Sequence, residues 1–231
     1  SETCVTVVIS GIQNKSINQT EEKLIFSEGN PVLQCNEISP LLLPSTFSTA
    51  VKKRKVPLVK YLPEMRKGNM PYNADALEFR TKETLQAFLI AYPDAKKFIR
   101  PLIGSEEFIK GKQRWCLWIK KENLDEANAI QGVAERIEEV RVKRASSTAT
   151  DQLKSMPYRF REQFETSKGQ ISLIVPSVSS ENREYIPIGI VDEHIVINNL
   201  AFAIYDCEIF MLSLRVSKMH MLWAKQCCGQ K

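Results

Sequence analysis

The spacing of apolar residues changes once along this chain, and that change limits what it can fold into. Between residues 124 and 145 they recur three and four positions apart, with Ile130, Val133, Ile137 and Val140 on one stripe. This is the spacing of an amphipathic helix started by Asn123 or Asp125. From Gln170 onward they come in short runs, at 171–175, 185–191, 195–197, 200–204 and 208–212, separated by polar turn residues. Such runs predict short strands. Helical spacing followed by strand spacing points to an α+β chain.

Other elements fit that class. Thr81 can cap a helix over 81–91, which Tyr92-Pro93 ends. Further helices are expected over 124–145, 147–155 and 213–227. A mainly antiparallel β region is expected at 98–119 and 170–212. Near the start, residues 3–11 form an apolar β-branched run and 23–26 a second short strand. A strand so close to residue 1 suggests a sheet that lies upstream. Residues 37–72 hold Pro40, Pro44, Pro57, Pro63 and Pro71, which exclude a long helix and read as a connector.

The most distinctive segment is residues 96–121, KKFIRPLIGSEEFIKGKQRWCLWIKK. Lys96, Lys97, Arg100, Lys110, Lys112, Arg114, Lys120 and Lys121 surround Phe98, Ile99, Phe108, Trp115, Leu117, Trp118 and Ile119. Only Glu106 and Glu107 oppose that charge. Cations on an apolar frame suit a structured surface facing phosphate. A solvated basic hairpin on an ordinary core is equally compatible with the composition. The formal net charge of +5 fits an acidic partner without requiring one. Lys52-Lys53-Arg54-Lys55 in the connector reads either as a solvated loop or as a further phosphate contact.

Several chemistries lack their residues. The six cysteines form no C-x-x-C pair, and His194 and His220 are the only imidazoles, which argues against a zinc site. Cys4, Cys116 and Cys207 sit in apolar runs, as free core cysteines of a reducing, cytoplasmic chain do. There is no G-x-G-x-x-G, no phosphate-cradling G-x-x-x-x-G-K and no G-x-S-x-G. No run reaches the length of a membrane span, and no signal peptide is apparent. Asn69-Met70-Pro71-Tyr72 superficially matches the Asn-Pro-Pro-aromatic tetrapeptide of amino-methylating enzymes. Met70 replaces the first proline, and no apolar strand precedes it to present the loop, so it reads as an ordinary loop.

Three stretches together resemble a known family. They are 98–109 (FIRPLIGSEEFI) with 114–119 (RWCLWI), 179–189 (SSENREYIPIG) and 217–223 (SKMHMLW). Residues 55–77, with Pro63-Glu64-Met65 and Gly68-Asn69-Met70-Pro71, fit the same pattern. The chain is similar to the target-recognition domain of MmeI-like (type IIG/IIL) restriction–modification enzymes and adenine-specific DNA methyltransferases. The resemblance implies a prokaryotic, cytoplasmic protein in which residues 1–36 are the end of a class I methyltransferase domain. Residues 37–78 would then be a connector and 79–231 the recognition domain. Where relatives often carry Asp-Gly-Gly after the Met-Pro pair, this chain has Tyr72-Asn73-Ala74, and glycine's permissive φ is missing from that turn.

The implied function is sequence-specific recognition of double-stranded DNA for an S-adenosylmethionine-dependent adenine-N6 methyltransferase or a fused restriction–modification enzyme. The cofactor and the catalytic residues would belong to the upstream methyltransferase domain, and this segment would be no enzyme by itself. Lys52, Lys53, Arg54, Lys96, Lys97, Lys110, Lys112 and Arg114 are the candidates for phosphate contact. Ser179, Ser180, Asn182 and Arg183 are the candidates for base reading, with Lys218 and His220 as lesser ones. Pairing of Glu181, Arg183 and Glu184 within a solvated loop remains an alternative for that segment. Trp115, Trp118 and Trp223 are expected in the core. Two other readings stay open: a chain that is itself a methyltransferase, and a structural or protein-interaction domain of such an enzyme.

Overall fold

The structure, a computed structural model, describes residues 23–27, 30–35, 37–38, 44–45, 59–178, 180 and 183–222. The chain divides into two units, residues 1–58 with 222–231, and residues 59–221. In the first, β1 (Lys23–Ser27) and β2 (Asn30–Cys35) form an antiparallel hairpin with an irregularity between Ile25 and Phe26. The two-residue strands β3 (Glu37–Ile38) and β4 (Pro44–Ser45) also pair antiparallel. The strand expected at 3–11 lies outside the described residues.

The larger unit holds two four-stranded sheets. Its strands are β5 (Met65–Lys67), β6 (Glu78–Phe79), β7 (Ile99–Ile103), β8 (Trp115–Leu117), β9 (Ser172–Pro176), β10 (Gly189–Val191), β11 (Val196–Ile197) and β12 (Ala201–Ile204). One sheet has the order β10-β9-β12-β5 and is antiparallel throughout. The other has the order β11-β7-β8-β6 and is antiparallel except for the β11–β7 pair. The helices are α1 (Lys82–Ala91), α2 (Ser105–Lys110), α3 (Leu124–Asn128), α4 (Gln131–Ala145), α5 (Asp151–Lys154) and α6 (Phe210–Arg215). This is the expected α+β class.

The main core follows from the periodicities. Leu85 and Phe88 of α1 and Val133, Ile137 and Val140 of α4 pack against Leu77, Phe79, Leu102, Leu117 and Trp118. Thr81 caps α1, its hydroxyl accepting the Thr84 N–H at 3.3 Å. Cys116 and Cys207 are buried free thiols, and burial pushes both up. A second cluster joins Ile174, Val191, Ile197, Ala201 and Ala203, and a third joins Leu173, Ile204, Cys207 and Met211. Burial of both faces of β9 accounts for its apolar run Leu173-Ile174-Val175.

Four expectations need correction. The helix expected at 124–145 breaks at Ile130, which is extended, and restarts as α4. Gly132 lies against the Tyr92 ring so closely that a Cβ would come within 2.2 Å of it. That fit belongs to the tertiary contact, and an isolated glycine in a helical pattern does not by itself announce a break. The helix at 147–155 is confined to α5. The run 185–191 is a strand only at β10. The supposed strand at 208–212 and helix at 213–227 are instead α6 and a second helical piece that begins at residue 218. Asp206, with φ 50°, turns the chain, and its carboxylate accepts from the Ser167 N–H and hydroxyl at 2.7 and 2.6 Å. Cys207 and Met211 then face the core four residues apart, a helical spacing inside a run that reads as strand. The stretch read as a connector without a long helix also contributes β5, which pairs with β12. All three β5 residues are exposed, so no apolar pattern marked them.

Candidate nucleic-acid interface

The segment Gly104-Ser105-Glu106-Glu107 starts a helix because Glu107 can reach back over the first turn. Its carboxylate accepts the Gly104 N–H at 2.8 Å. The helix ends at Gly111, whose φ of 67° is the left-handed value that suits glycine. Lys110 and Lys112 flank that glycine and are exposed. Both reach the same Glu106 oxygen, at 3.0 and 2.7 Å. These two hydrogen bonds, Lys112's first, hold the Glu106 carboxyl down at about 2.

The loop at 178–188 is anchored on the same helix at both ends. At one end, the Ser105 hydroxyl accepts the Ser177 N–H at 3.0 Å, and Ser105 and Ser177 both donate to the Leu200 carbonyl. At the other, Gly189 sits so close to Phe108 that a Cβ would come within 2.3 Å of its ring. Within the loop the Arg183 N–H donates to the Ser180 carbonyl at 3.2 Å. The structure therefore brings Lys110 and Lys112 to the helix that carries the loop of Ser180 and Arg183. Ser179 and Asn182 lie outside the described residues, as do Lys52, Lys53 and Arg54.

The other candidates are dispersed. Lys96 and Lys97 precede β7, at the opposite end of that strand from α2, and Lys97 pairs with Glu126. Lys218 is exposed. His220 lies with Nδ1 3.0 Å from the Arg215 carbonyl, and burial followed by the Arg215 charge lowers its pKa. Arg114 differs from the expected surface contact. Its side chain is only 15% exposed and lies between Glu78, at 3.4 Å, and Glu107, at 3.2 Å. Among the described residues Nε and Nη2 make no hydrogen bond, although Nη2 stands within ion-pair distance of Glu107. Burial raises the Glu78 pKa, and the Arg114 charge opposes that rise. Arg114 thus ties α2 to β6 behind the lysines.

Glu165 collects three donors from the basic stretch. Arg100 reaches it at 3.0 Å, the Trp118 indole N–H at 3.1 Å, and Lys120 also pairs with it. Burial raises its pKa, but the Lys120 and Trp118 hydrogen bonds and the two positive charges outweigh that, and the net shift is downward. Trp118 is in the core, as expected, and Trp115 packs against it; Trp223 lies outside the described residues.

The Asn69-Met70-Pro71-Tyr72 loop is a structural knot. Asn69 is fully buried. Its Nδ2 donates to the Phe164 and Ile197 carbonyls at 2.9 and 3.1 Å, and its Oδ1 accepts the Phe164 N–H at 2.7 Å. With donors and acceptor engaged, that amide cannot receive a base. Tyr72 and Asn73 take φ values of 33° and 55°, so the turn does need the left-handed backbone that glycine would supply.

One residue escaped the sequence reading. At the basic end of α4, where positive charge complements the helix dipole, Arg141 and Lys143 pair with Glu138 and Glu139 at the surface. Arg144 is instead completely buried. Nε donates to the Tyr72 carbonyl at 3.1 Å, Nη1 to Leu153 and Met156 at 3.4 and 2.7 Å, and Nη2 to Pro71 and Arg159 at 3.2 and 2.8 Å. All five guanidinium donors are engaged by carbonyls. Burial, then the nearby Arg159 charge, pulls its pKa down to about 10. The available signal was its position: Val133, Ile137, Val140 and Arg144 continue one helical stripe.

With this geometry in view, comparison with known proteins is specific. The chain belongs to the MmeI target recognition domain family, whose model matches residues 45–230. DNA methyltransferase A of Bacillus subtilis (strain 168) is 36% identical over 228 residues, which cover 98% of this chain and 25% of that protein. A solved structure of the type IIL restriction-modification enzyme MmeI in complex with DNA matches with a TM-score of 0.79 at 33% identity. That match covers 91% of this chain and 28% of the solved one. The chain thus spans about a quarter of the length of these relatives. Among the described residues, no helix is long and apolar enough to cross a membrane.

Proposed function

We propose that this chain reads the target sequence in duplex DNA for an S-adenosylmethionine-dependent DNA methyltransferase, acting on adenine N6, or a fused restriction–modification enzyme. The catalytic and cofactor-binding residues belong to the rest of that enzyme. The observation that carries this reading is the joint anchoring of the 178–188 loop and the Lys110/Lys112 turn on α2 in a chain of the MmeI recognition-domain family. A cationic turn beside a polar loop has the division of labour that recognition requires, with phosphate contacts fixing register and loop side chains reading base edges. Lys110 and Lys112 face the backbone, with Lys96, Lys97 and the Lys52–Arg54 run as further phosphate contacts. Ser179, Ser180, Asn182 and Arg183 read bases, and Lys218 and His220 assist. Arg114 supports the turn from behind.

The test uses the complete parent enzyme. Replacing Lys110 and Lys112 with alanine is expected to weaken cognate and non-cognate duplexes alike and to flatten the dependence of log affinity on log salt by about 1 to 2. Alanine at Asn182 and Arg183 is expected to relax which site receives label from S-adenosylmethionine. Unchanged salt dependence in the first variant, with unchanged site choice in the second, would refute the assignment.

A further inference from the structure

The geometry points to a second DNA contact, resting on the reading above: the cleft between the Tyr72 turn and the 148–161 segment is a binding site for a backbone phosphate of the same duplex. This cleft, of about 370 Å³, is lined by Tyr72, Thr148, Thr150, Gln152, Arg159 and Arg161, with Leu153 and Met156 at its base. Two other cavities carry both signs of charge. One is lined by Glu64 and Glu165 with Arg66, the other by Asp75, Glu78 and Glu139 with Arg80, Arg136 and Lys143. Here, among the described residues, no carboxylate lines the wall, while two guanidiniums, three hydroxyls and an amide do.

The charge balance favours an anion. The Arg159 side chain makes one hydrogen bond, from Nε to the Phe160 carbonyl, which leaves its charge unneutralised. Arg161 pairs only with its neighbour Glu162 at the exposed rim. Arg144 adds a third guanidinium next to the cleft, its donors on carbonyls and no carboxylate beside it. Among the described residues, two guanidiniums line the cleft and a third lies buried beside it, while only Arg161 has a carboxylate partner. Arginine forks and hydroxyl donors are the groups that recognise phosphate oxygens.

The cleft is also tied to α2 by a series of hydrogen bonds. Arg161 N–H donates to the Met70 carbonyl and Asn199 N–H to the Asn69 carbonyl. Leu200 N–H then donates to the Asn198 side chain, and the Leu200 carbonyl accepts from the hydroxyl of Ser105, the first residue of α2. A rigid spacing between the two cationic places would let one duplex engage both.

A salt titration of the parent enzyme on a short labelled duplex, combined with chemical neutralisation of single phosphates, tests this. The R159Q/R161Q variant is expected to lose roughly tenfold in affinity for cognate and non-cognate DNA alike, and its salt slope to fall by about 1 to 2. R159K/R161K, which keeps the charges, should retain most of the slope. In duplexes carrying one neutral methylphosphonate at successive positions, at least one position should weaken the wild type but not R159Q/R161Q. If the double variant melts early, R161Q alone, whose side chain holds no internal contact beyond Glu162, is put through the same scan. A slope and a scan identical to wild type would overturn the cleft assignment. In that case weakened binding by the Lys110/Lys112 variant would leave the wider DNA-recognition reading standing, and its failure as well would remove both.

Discussion

Arg144 and the Lys110/Lys112 pair carry the same sign of charge in opposite settings. The arginine is fully buried, pairs with no carboxylate among the described residues, and is solvated by five backbone carbonyls. The lysines stand in solvent and share one exposed carboxylate. Burying a guanidinium costs several kcal/mol unless every donor is matched, so the first arrangement is rigid by necessity. An exposed ion pair contributes little and exchanges readily for a better anion. Positive charge in this recognition domain therefore does two jobs. Inside, it ties the Tyr72 turn to the 153–159 segment. Outside, it is available to a polyanion, and only its environment tells which role a residue has.

The largest effect should come from the buried member. Arg144→Met fits the apolar stripe of α4 but leaves five carbonyls without their donor, and is expected to cost about 3–5 kcal/mol. Arg144→Lys should recover little, because an ammonium offers three donors from a point and cannot span carbonyls on two segments. Thermal unfolding of the parent enzyme, followed by a probe in this domain, measures both. A methionine variant as stable as wild type would show that the knot is not needed.

Glu165 lies between the two extremes, partly buried with Arg100, Trp118 and Lys120 on it. Glu165→Gln is expected to cost about 1 kcal/mol near neutral pH, after allowance for solvent screening of a partly exposed cluster. The sign of its pH dependence follows from the lowered pKa. The carboxylate's contribution is complete above the ordinary carboxylate range and is lost as pH falls through its lowered folded value. The difference between wild type and the variant should therefore shrink on acidification, and a denaturant series at neutral and acid pH would show whether it does.

Legibility in the sequence followed the same division. The α1 cap at Thr81, the strands β7, β9 and β12, the left-handed turn at Gly111 and the core position of Trp118 all follow from local spacing or from one residue's conformational preference. The break at Ile130, the strand β5 and the helix α6 do not. Each goes with a partner distant in sequence: the Tyr92 ring against Gly132, the β12 edge beside Met65–Lys67, and Ser167, which binds the carboxylate of the Asp206 turn that precedes α6. The site divided likewise. Exposed lysines next to a glycine are visible in sequence, but the anchoring of the 178–188 loop on Ser105 and Phe108 joins residues some 70 to 80 positions apart. Arg114 and Arg144 share one difficulty. A basic residue in a basic run reads as surface unless its place on an apolar face is weighed first.

The smallest effect on the fold, and the most direct probe of the exposed pair, is Glu106→Gln. In the free protein this carboxylate partly neutralises both lysines, so a phosphate that approaches them must displace it. Removing its charge should leave folding almost untouched, since the side chain is exposed and its two hydrogen bonds are to mobile ammonium groups. Affinity of the parent enzyme for duplex DNA should rise about threefold at low salt, and the gain should fade as salt screens the site. Acidification does not mimic the substitution. The Glu106 pKa is held at about 2, so its charge persists until far below the working range and is lost only as pH falls through that value. Glu106→Gln should therefore raise affinity by the same factor at pH 8 and pH 6. A gain that disappears between those values would place the relevant titration elsewhere, and a loss of affinity would mean that Glu106 orients the lysines for the backbone rather than competing with it.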